Sequence, residues 1–398
     1  MDVPLSLILD GATGTQLQSH GMKPEDCTEA FILDHPDLLL TLQKEYVAAG
    51  SGLLIAPTLG ANRLRLATFG LEGNMAEMNR ALVALTKTAA GGNALVAGDL
   101  ASANVPLLPF GELPFEELVT VYAEQAQALS DAGVDLFFVE TMTHMAEARA
   151  AVLGIKSVSD KPIFVTFYCD DDGETPSGCD VLAALLVMQG MGVAAFGLGC
   201  CTPEIALEQL TRLAPYTNVP LIAKPAVGEE TPAVLASYAK DLAAVGVRYF
   251  GGCCGSGPEH ISALTSAVKT LNLAPFAPME RDPDVIGAPC EKTARFITPD
   301  VDTGDTITCS PNLLEDILAA EEAPAGAVKI AIWDEDDLQM FAENQYAIED
   351  ALCLTTDVPA LLEGALRAYQ GRAFWDGTEE LPDEFLAEMH QKYGLVIL

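Results

Sequence analysis

Up to Leu271 the sequence repeats one pattern eight times: a short apolar run bounded by glycine or a turn, then an amphipathic stretch. The runs cover residues 5–10, 52–57, 94–99, 136–140, 163–168, 194–199, 221–225 and 247–251. The helical stretches cover 38–49, 75–89, 115–132, 145–157, 180–189, 204–214, 232–245 and 259–271. Strands joined through a helix run parallel and are buried on both faces. Eight such units in a row meet the requirement of a closed barrel. The expected fold class is α/β, a (β/α)8 TIM barrel followed by a smaller, partly barrel-like α/β C-terminal segment. Ala49-Gly50, Ala132-Gly133, Met191-Gly192 and Val245-Gly246 each end a helical pattern just before an apolar run, which suits the left-handed position past a helix end.

A chain of 398 residues exceeds one ordinary domain. The barrel is expected over 1–273. Residues 274–305 carry Pro275, Pro278, Pro283, Pro289 and Pro299 with no periodicity and read as a linker or wrapping segment. Alternation resumes over 306–398, a small α/β domain. Its expected helices lie near 313–320, 337–347, 360–369 and 383–393, and its strands at 328–333, 351–355, 373–375 and 395–398. An apolar final strand leaves an edge for the barrel or a second copy to cover.

The composition narrows the function. With 21 Lys plus Arg against 57 Asp plus Glu the net charge is −36, which argues against nucleic-acid binding. No apolar stretch has membrane length and no leader precedes Leu5, so a cytoplasmic protein without a membrane partner is expected. Ten cysteines without an export signal suggest metal or catalytic use over a disulfide framework. The five histidines form no metal spacing, and Asp170-Asp171-Asp172-Gly173-Glu174 lacks the later glutamate of a calcium loop.

Chemistry in such a barrel sits at the carboxyl ends of the strands. Asp10, Asp99, Glu140, Cys200, Lys224 and Cys253 occupy those ends. Four cysteines come as adjacent pairs there, Cys200-Cys201 and Cys253-Cys254, the second inside Phe250-Gly251-Gly252-Cys253-Cys254-Gly255. Convergence on one metal ion is one reading; small buried side chains are the other. Three thiolates on Zn²⁺ leave a tetrahedral position for a substrate thiol, which the cation converts to a nucleophilic thiolate. A fourth thiolate from Cys201 would close the site and make it structural.

Gly251 to Gly255, Gly197-Leu198-Gly199-Cys200, Leu9-Asp10-Gly11-Ala12-Thr13-Gly14-Thr15, Gly60-Ala61-Asn62-Arg63 and Glu140-Thr141-Met142 together resemble the homocysteine S-methyltransferase family, which includes the homocysteine-binding module of cobalamin-dependent methionine synthases. The resemblance spans residues 5–271. It implies zinc on Cys200, Cys253 and Cys254, an acceptor amino group held by Asp10 and Glu140, and methyl transfer to homocysteine to give methionine. The methyl donor is left open among a sulfonium compound, methylcobalamin on a corrinoid protein and a methylated amine. The family's Pro-Asn-Ala-Gly reads Pro225-Ala226-Val227-Gly228, its Thr-Asn-Thr-Phe reads Ala56-Pro57-Thr58-Leu59, and Thr13 stands where methionine is usual. A zinc barrel with an altered thiol substrate, or with a regulatory role, is the alternative. Residues 351–357, 361–371 and 392–398 resemble part of a pterin-binding domain, too short to close a barrel, which suggests docking to a corrinoid protein or a homodimer.

Overall fold

The computed structural model describes residues 3–398. Eight parallel strands form the first unit: β1 (Leu7–Ile8), β2 (Leu53–Ala56), β3 (Leu95–Leu100), β4 (Leu136–Met142), β5 (Ile163–Phe167), β6 (Ala195–Gly199), β7 (Leu221–Lys224) and β8 (Val247–Phe250). Pairing runs β1-β8-β7-β6-β5-β4-β3-β2. The seam between β1 and β2 is bridged by Gly52 N donating to the Ile8 carbonyl (2.8 Å) and Ile55 N donating to Asp10 Oδ2 (2.8 Å). A side chain thus replaces a ladder bond, which is why β1 is shorter than the expected run over 5–10.

Alternation along the strands sorts the side chains. Leu9, Leu53, Ile55, Ala97, Leu136, Phe138, Phe164, Ala195, Ile222 and Tyr249 fill the barrel interior. The opposite strand faces pack under helices such as Pro36–Ala49, Met75–Ala90, Phe115–Asp131 and Met145–Lys156. The stretch 232–245, expected as one helix, forms two, Pro232–Ser237 and Ala239–Ala244, which meet at Tyr238. Among the described residues no helix is long and apolar enough to cross a membrane.

After the barrel, the proline-rich segment carries a short antiparallel pair, β9 (Ile286–Gly287) with β10 (Phe296–Ile297). A second parallel sheet follows: β11 (Thr306–Thr308), β12 (Val328–Ala331), β13 (Leu352–Thr355), β14 (Phe374–Trp375) and β15 (Val396–Ile397), paired in chain order. It is an open sheet with β11 and β15 as edges, and β11 and the β9–β10 pair were absent from the expectation. One apolar cluster runs from the barrel into this segment, with a buried arginine set in the contact. Arg149, buried, donates to Gln370 Oε1 (3.0 Å) and the Leu366 carbonyl (2.9 Å). Burial pulls its guanidinium down to about 10. Gly190 and Gly394 meet where a Cβ on Gly394 would come 2.8 Å from the Gly190 carbonyl carbon.

Candidate metal centre

The sulfurs of Cys200, Cys253 and Cys254 lie within 4.8 Å of one another. Cys200 Sγ is 2.6 Å from that of Cys253 and 3.4 Å from that of Cys254. Backbone geometry produces this convergence. Cys200 has φ +63°, a left-handed conformation that ends the alternation of β6. Such a conformation costs a non-glycine residue about 1 kcal/mol or more and is concentrated at functional sites. Gly255 has φ +86° and lies so close to Gly228 that a Cβ would sit 2.3 Å from the Gly228 carbonyl oxygen. The loop after β7 braces the pair: Cys253 N donates to the Pro225 carbonyl (2.8 Å) and Val227 N to that of Cys254 (2.9 Å). Pro225-Ala226-Val227-Gly228 therefore acts through its backbone.

Cys201 is not in the cluster. It is buried, and its thiol is pushed up by a hydrogen bond with Cys169 and then by burial. A fourth thiolate from Cys201 is not among the gathered sulfurs, because the turn at Cys200 sends the next side chain into the helix layer.

The donor set fits a zinc ion. Sulfurs about 2.3 Å from a tetrahedral centre stand about 3.8 Å apart, so the Cys200 pairs at 2.6 and 3.4 Å would open to take the ion. Without a cation, Cys254 is drawn down to about 3 by hydrogen bonds from Cys200 and then Cys253, while Cys253 is pushed up by its bonds to Cys200 and then Cys254. Three sulfurs gathered within 4.8 Å of one another form a ready cation site.

The other side of the mouth is charged and buried. Lys224 Nζ lies 2.5 Å from Glu140 Oε1 and 3.9 Å from Asp10 Oδ1. It also stands 5.3 Å from the centre of the Phe138 ring. Burial alone would lower the Lys224 ammonium, but Glu140 and then Asp10 outweigh it and hold it above its ordinary value. Asp10 is raised to about 7 by burial, with Lys224 opposing. Asp99 is raised well above the carboxylate range by burial and then by Glu140. Asp10 Oδ1, Asp99 Oδ1 and Glu140 Oε1 are buried without a hydrogen-bond partner among the described residues.

All five residues expected at the site, Cys200, Cys253, Cys254, Asp10 and Glu140, lie at the carboxyl ends of strands. Sequence reasoning placed Asp99 and Lys224 at strand ends without a role, although two-residue spacing from Ala97 and Ile222 marks both as interior. It passed over Ser256 and Tyr46. Ser256 Oγ donates to the Cys253 carbonyl (2.7 Å) and accepts from Ala12 N (3.1 Å), while Tyr46 donates to the Ala12 carbonyl (2.7 Å). These two tie the Asp10 loop to the thiol loop; the serine directly after the glycine that follows the cysteines was the available signal.

Known proteins are similar to the barrel part of this chain. Methionine synthase from Mycobacterium leprae is 28% identical over 296 residues, covering 67% of this chain and 24% of that protein. Methionine synthase from Mycobacterium tuberculosis is 27% identical over 301 residues, covering 67% and 25%. The chain thus spans about a quarter of the length of the curated relatives it matches. Among solved structures, the metallated form of the homocysteine methyltransferase MmuM from Escherichia coli superposes with a TM-score of 0.59 at 25% identity, covering 66% of this chain and 96% of that one. The oxidised form of the same enzyme gives a TM-score of 0.59 at 24% identity over the same shares. The homocysteine S-methyltransferase profile matches residues 7–268. With more than half the sequence matched, the chain belongs to the homocysteine S-methyltransferase family.

Proposed function

We propose that this chain transfers a methyl group to the sulfur of a small thiol, homocysteine, giving methionine, with zinc held by Cys200, Cys253 and Cys254. The observation that carries the reading is the three-sulfur cluster at the mouth of a family barrel. The ion, when bound, supplies the charge that keeps an incoming thiol deprotonated at neutral pH.

The remaining tasks fall to the chain. Cys200 and the Cys253-Cys254 pair come from two different strands, so the ion's seat is set by the barrel. Ser256 and Tyr46 hold the Asp10 loop in register with that seat. The acidic side of the mouth, with Asp10 and Glu140 as the carboxylates the resemblance assigns, faces the acceptor's ammonium and orients its sulfur. The thiol proton leaves to solvent. The sulfur then takes the methyl carbon in line as the donor departs with the bonding pair. Cys254 is exposed, so this side is open to a donor carried by another molecule. A corrinoid protein is the proposed carrier, with the barrel at 1–273 as the catalytic domain, 274–305 as the wrapping segment and the domain at 306–398 as the docking element or the homodimer contact.

Zinc analysis with calorimetry against L-homocysteine tests the reading. One zinc per chain and homocysteine binding that a chelator abolishes are expected; a chain that takes no zinc overturns it. A second reading, a zinc barrel for another thiol, is favoured by one observation: Lys224 already pairs with Glu140. Zinc retention with no binding of homocysteine would select it.

A further inference from the structure

We propose that His260 is a positioning residue for the metal centre: its ring ties the loop after β8, which carries Cys253 and Cys254, to the loop after β7, and so holds Cys254 in place as a ligand. The inference rests on the zinc-thiolate reading of the three sulfurs. It adds to that reading a residue from outside the strands, on helix Pro258–Lys269.

The ring bridges two backbones. Gly257 N donates to His260 Nδ1 (3.1 Å), and His260 Nε2 donates to the Glu230 carbonyl (2.9 Å). A backbone amide only donates and a carbonyl only accepts, so these partners place the ring proton on Nε2. Glu259 Oε1 stands 3.3 Å from Nδ1, but that side chain is 64% exposed and Nδ1 already takes the Gly257 amide. The imidazole itself is buried, which shields the link from water.

This link closes a circuit of hydrogen bonds through Cys254. Glu230 N donates to the Val227 carbonyl (2.8 Å), and Val227 N (2.9 Å) and Gly228 N (3.3 Å) both donate to the Cys254 carbonyl. Gly257 follows three residues later and returns the circuit to His260. The other two ligands have separate holds. Cys200 N donates to the Lys224 carbonyl (3.1 Å) and Cys253 N to that of Pro225 (2.8 Å), while Ser256 Oγ donates to the Cys253 carbonyl (2.7 Å). Among the described residues, the hydrogen bonds to the Cys254 backbone come from the β7 loop alone. Cys254 is also the exposed member of the three. A change that frees the β7 loop therefore reaches Cys254 before it reaches Cys200 or Cys253.

The test reads zinc affinity of the full chain by chelator competition in two backgrounds. His260→Ala should weaken zinc by about 10- to 100-fold in the wild type, and by less than about 3-fold beside Cys254→Ser, where the ligand it positions is gone. In the zinc-loaded chain, iodoacetamide labelling read by mass spectrometry should speed up about 10-fold at Cys254 in His260→Ala and stay unchanged at Cys200 and Cys253. His260→Asn keeps an acceptor for Gly257 and His260→Gln a donor for Glu230, so each should recover part of the loss. Either one, put through the same two backgrounds, serves if the alanine variant does not fold. Equal weakening in both backgrounds, or labelling that rises equally at all three cysteines, would make His260 merely structural and overturn the inference, as would unchanged zinc affinity. Each of these results leaves the zinc reading standing. A wild-type chain that takes no zinc would remove that reading and the inference together.

Discussion

The two halves of the barrel mouth are built in opposite ways. The thiol half takes two of its three sulfurs from adjacent residues, shaped by Gly255 and the left-handed turn at Cys200. The charged half takes Asp10, Asp99, Glu140 and Lys224 from β3, β4, β7 and the end of β1, spread over more than half the chain. Barrel closure brings Cys200 to the Cys253-Cys254 pair and local backbone bends then turn the three sulfurs together, whereas the charges meet through closure alone. Among the buried carboxylates the fold sets the Lys224 ammonium, and burial raises Asp10 and Asp99 towards their neutral forms.

The largest effect that would break this contrast is loss of a sulfur. Cys253→Ser should drop zinc from one per chain to substoichiometric, more than about 10³-fold in affinity by chelator competition, because thiolate zinc sites are worth about 10–16 kcal/mol spread over few ligands. Folding should survive, since the thiol half is braced through its backbone. Lys224→Met should do the reverse. It should leave Glu140 buried and unpaired at a cost of about 3–5 kcal/mol, read as a lower urea midpoint at neutral pH. If Lys224→Met were harmless, the charged half would be a solvated rim instead of a buried cluster.

A pH series sharpens the same point. Asp10 is raised from 3.8 to about 7 in the folded protein. The folded state then holds this proton more tightly than the unfolded state. The stability it contributes is full below about pH 4 and is lost as pH rises towards 7. Wild-type stability relative to Asp10→Asn should fall across that window by on the order of 4 kcal/mol in denaturant titrations. The smallest effect belongs to Cys201→Ser, which should leave zinc content and the sulfur count by X-ray absorption unchanged; a lost sulfur would return Cys201 to the metal.

Much of the barrel was legible because buried parallel strands appear as uninterrupted apolar runs and their helices as amphipathic ones. All eight strands lie within or overlap the expected runs. Asp383–Tyr393 matched its expected bounds, ending at Gly394 in a left-handed cap. β11 was missed because Thr306–Thr308 is a three-residue edge strand, two-thirds exposed, that exists through its pairing with β12. The break at Tyr238 escaped notice because both short helices keep one continuous apolar periodicity.

For the site, residue identity left the cysteines as either metal ligands or small buried side chains, and the resemblance selected three of them as ligands. Strand alternation and the resemblance favoured Cys200 over Cys201 without showing the cause. That choice depends on a positive φ at Cys200 and a partner at Cys169, both products of the packed barrel. Nor could residue identity say which carboxylate Lys224 neutralises. Ion pairing falls off with separation and strengthens with burial, and neither quantity exists until β1, β3, β4 and β7 stand around one axis. Strand order and the kind of chemistry were written in the chain's local pattern; the partner of each buried charge was decided by closure of the barrel.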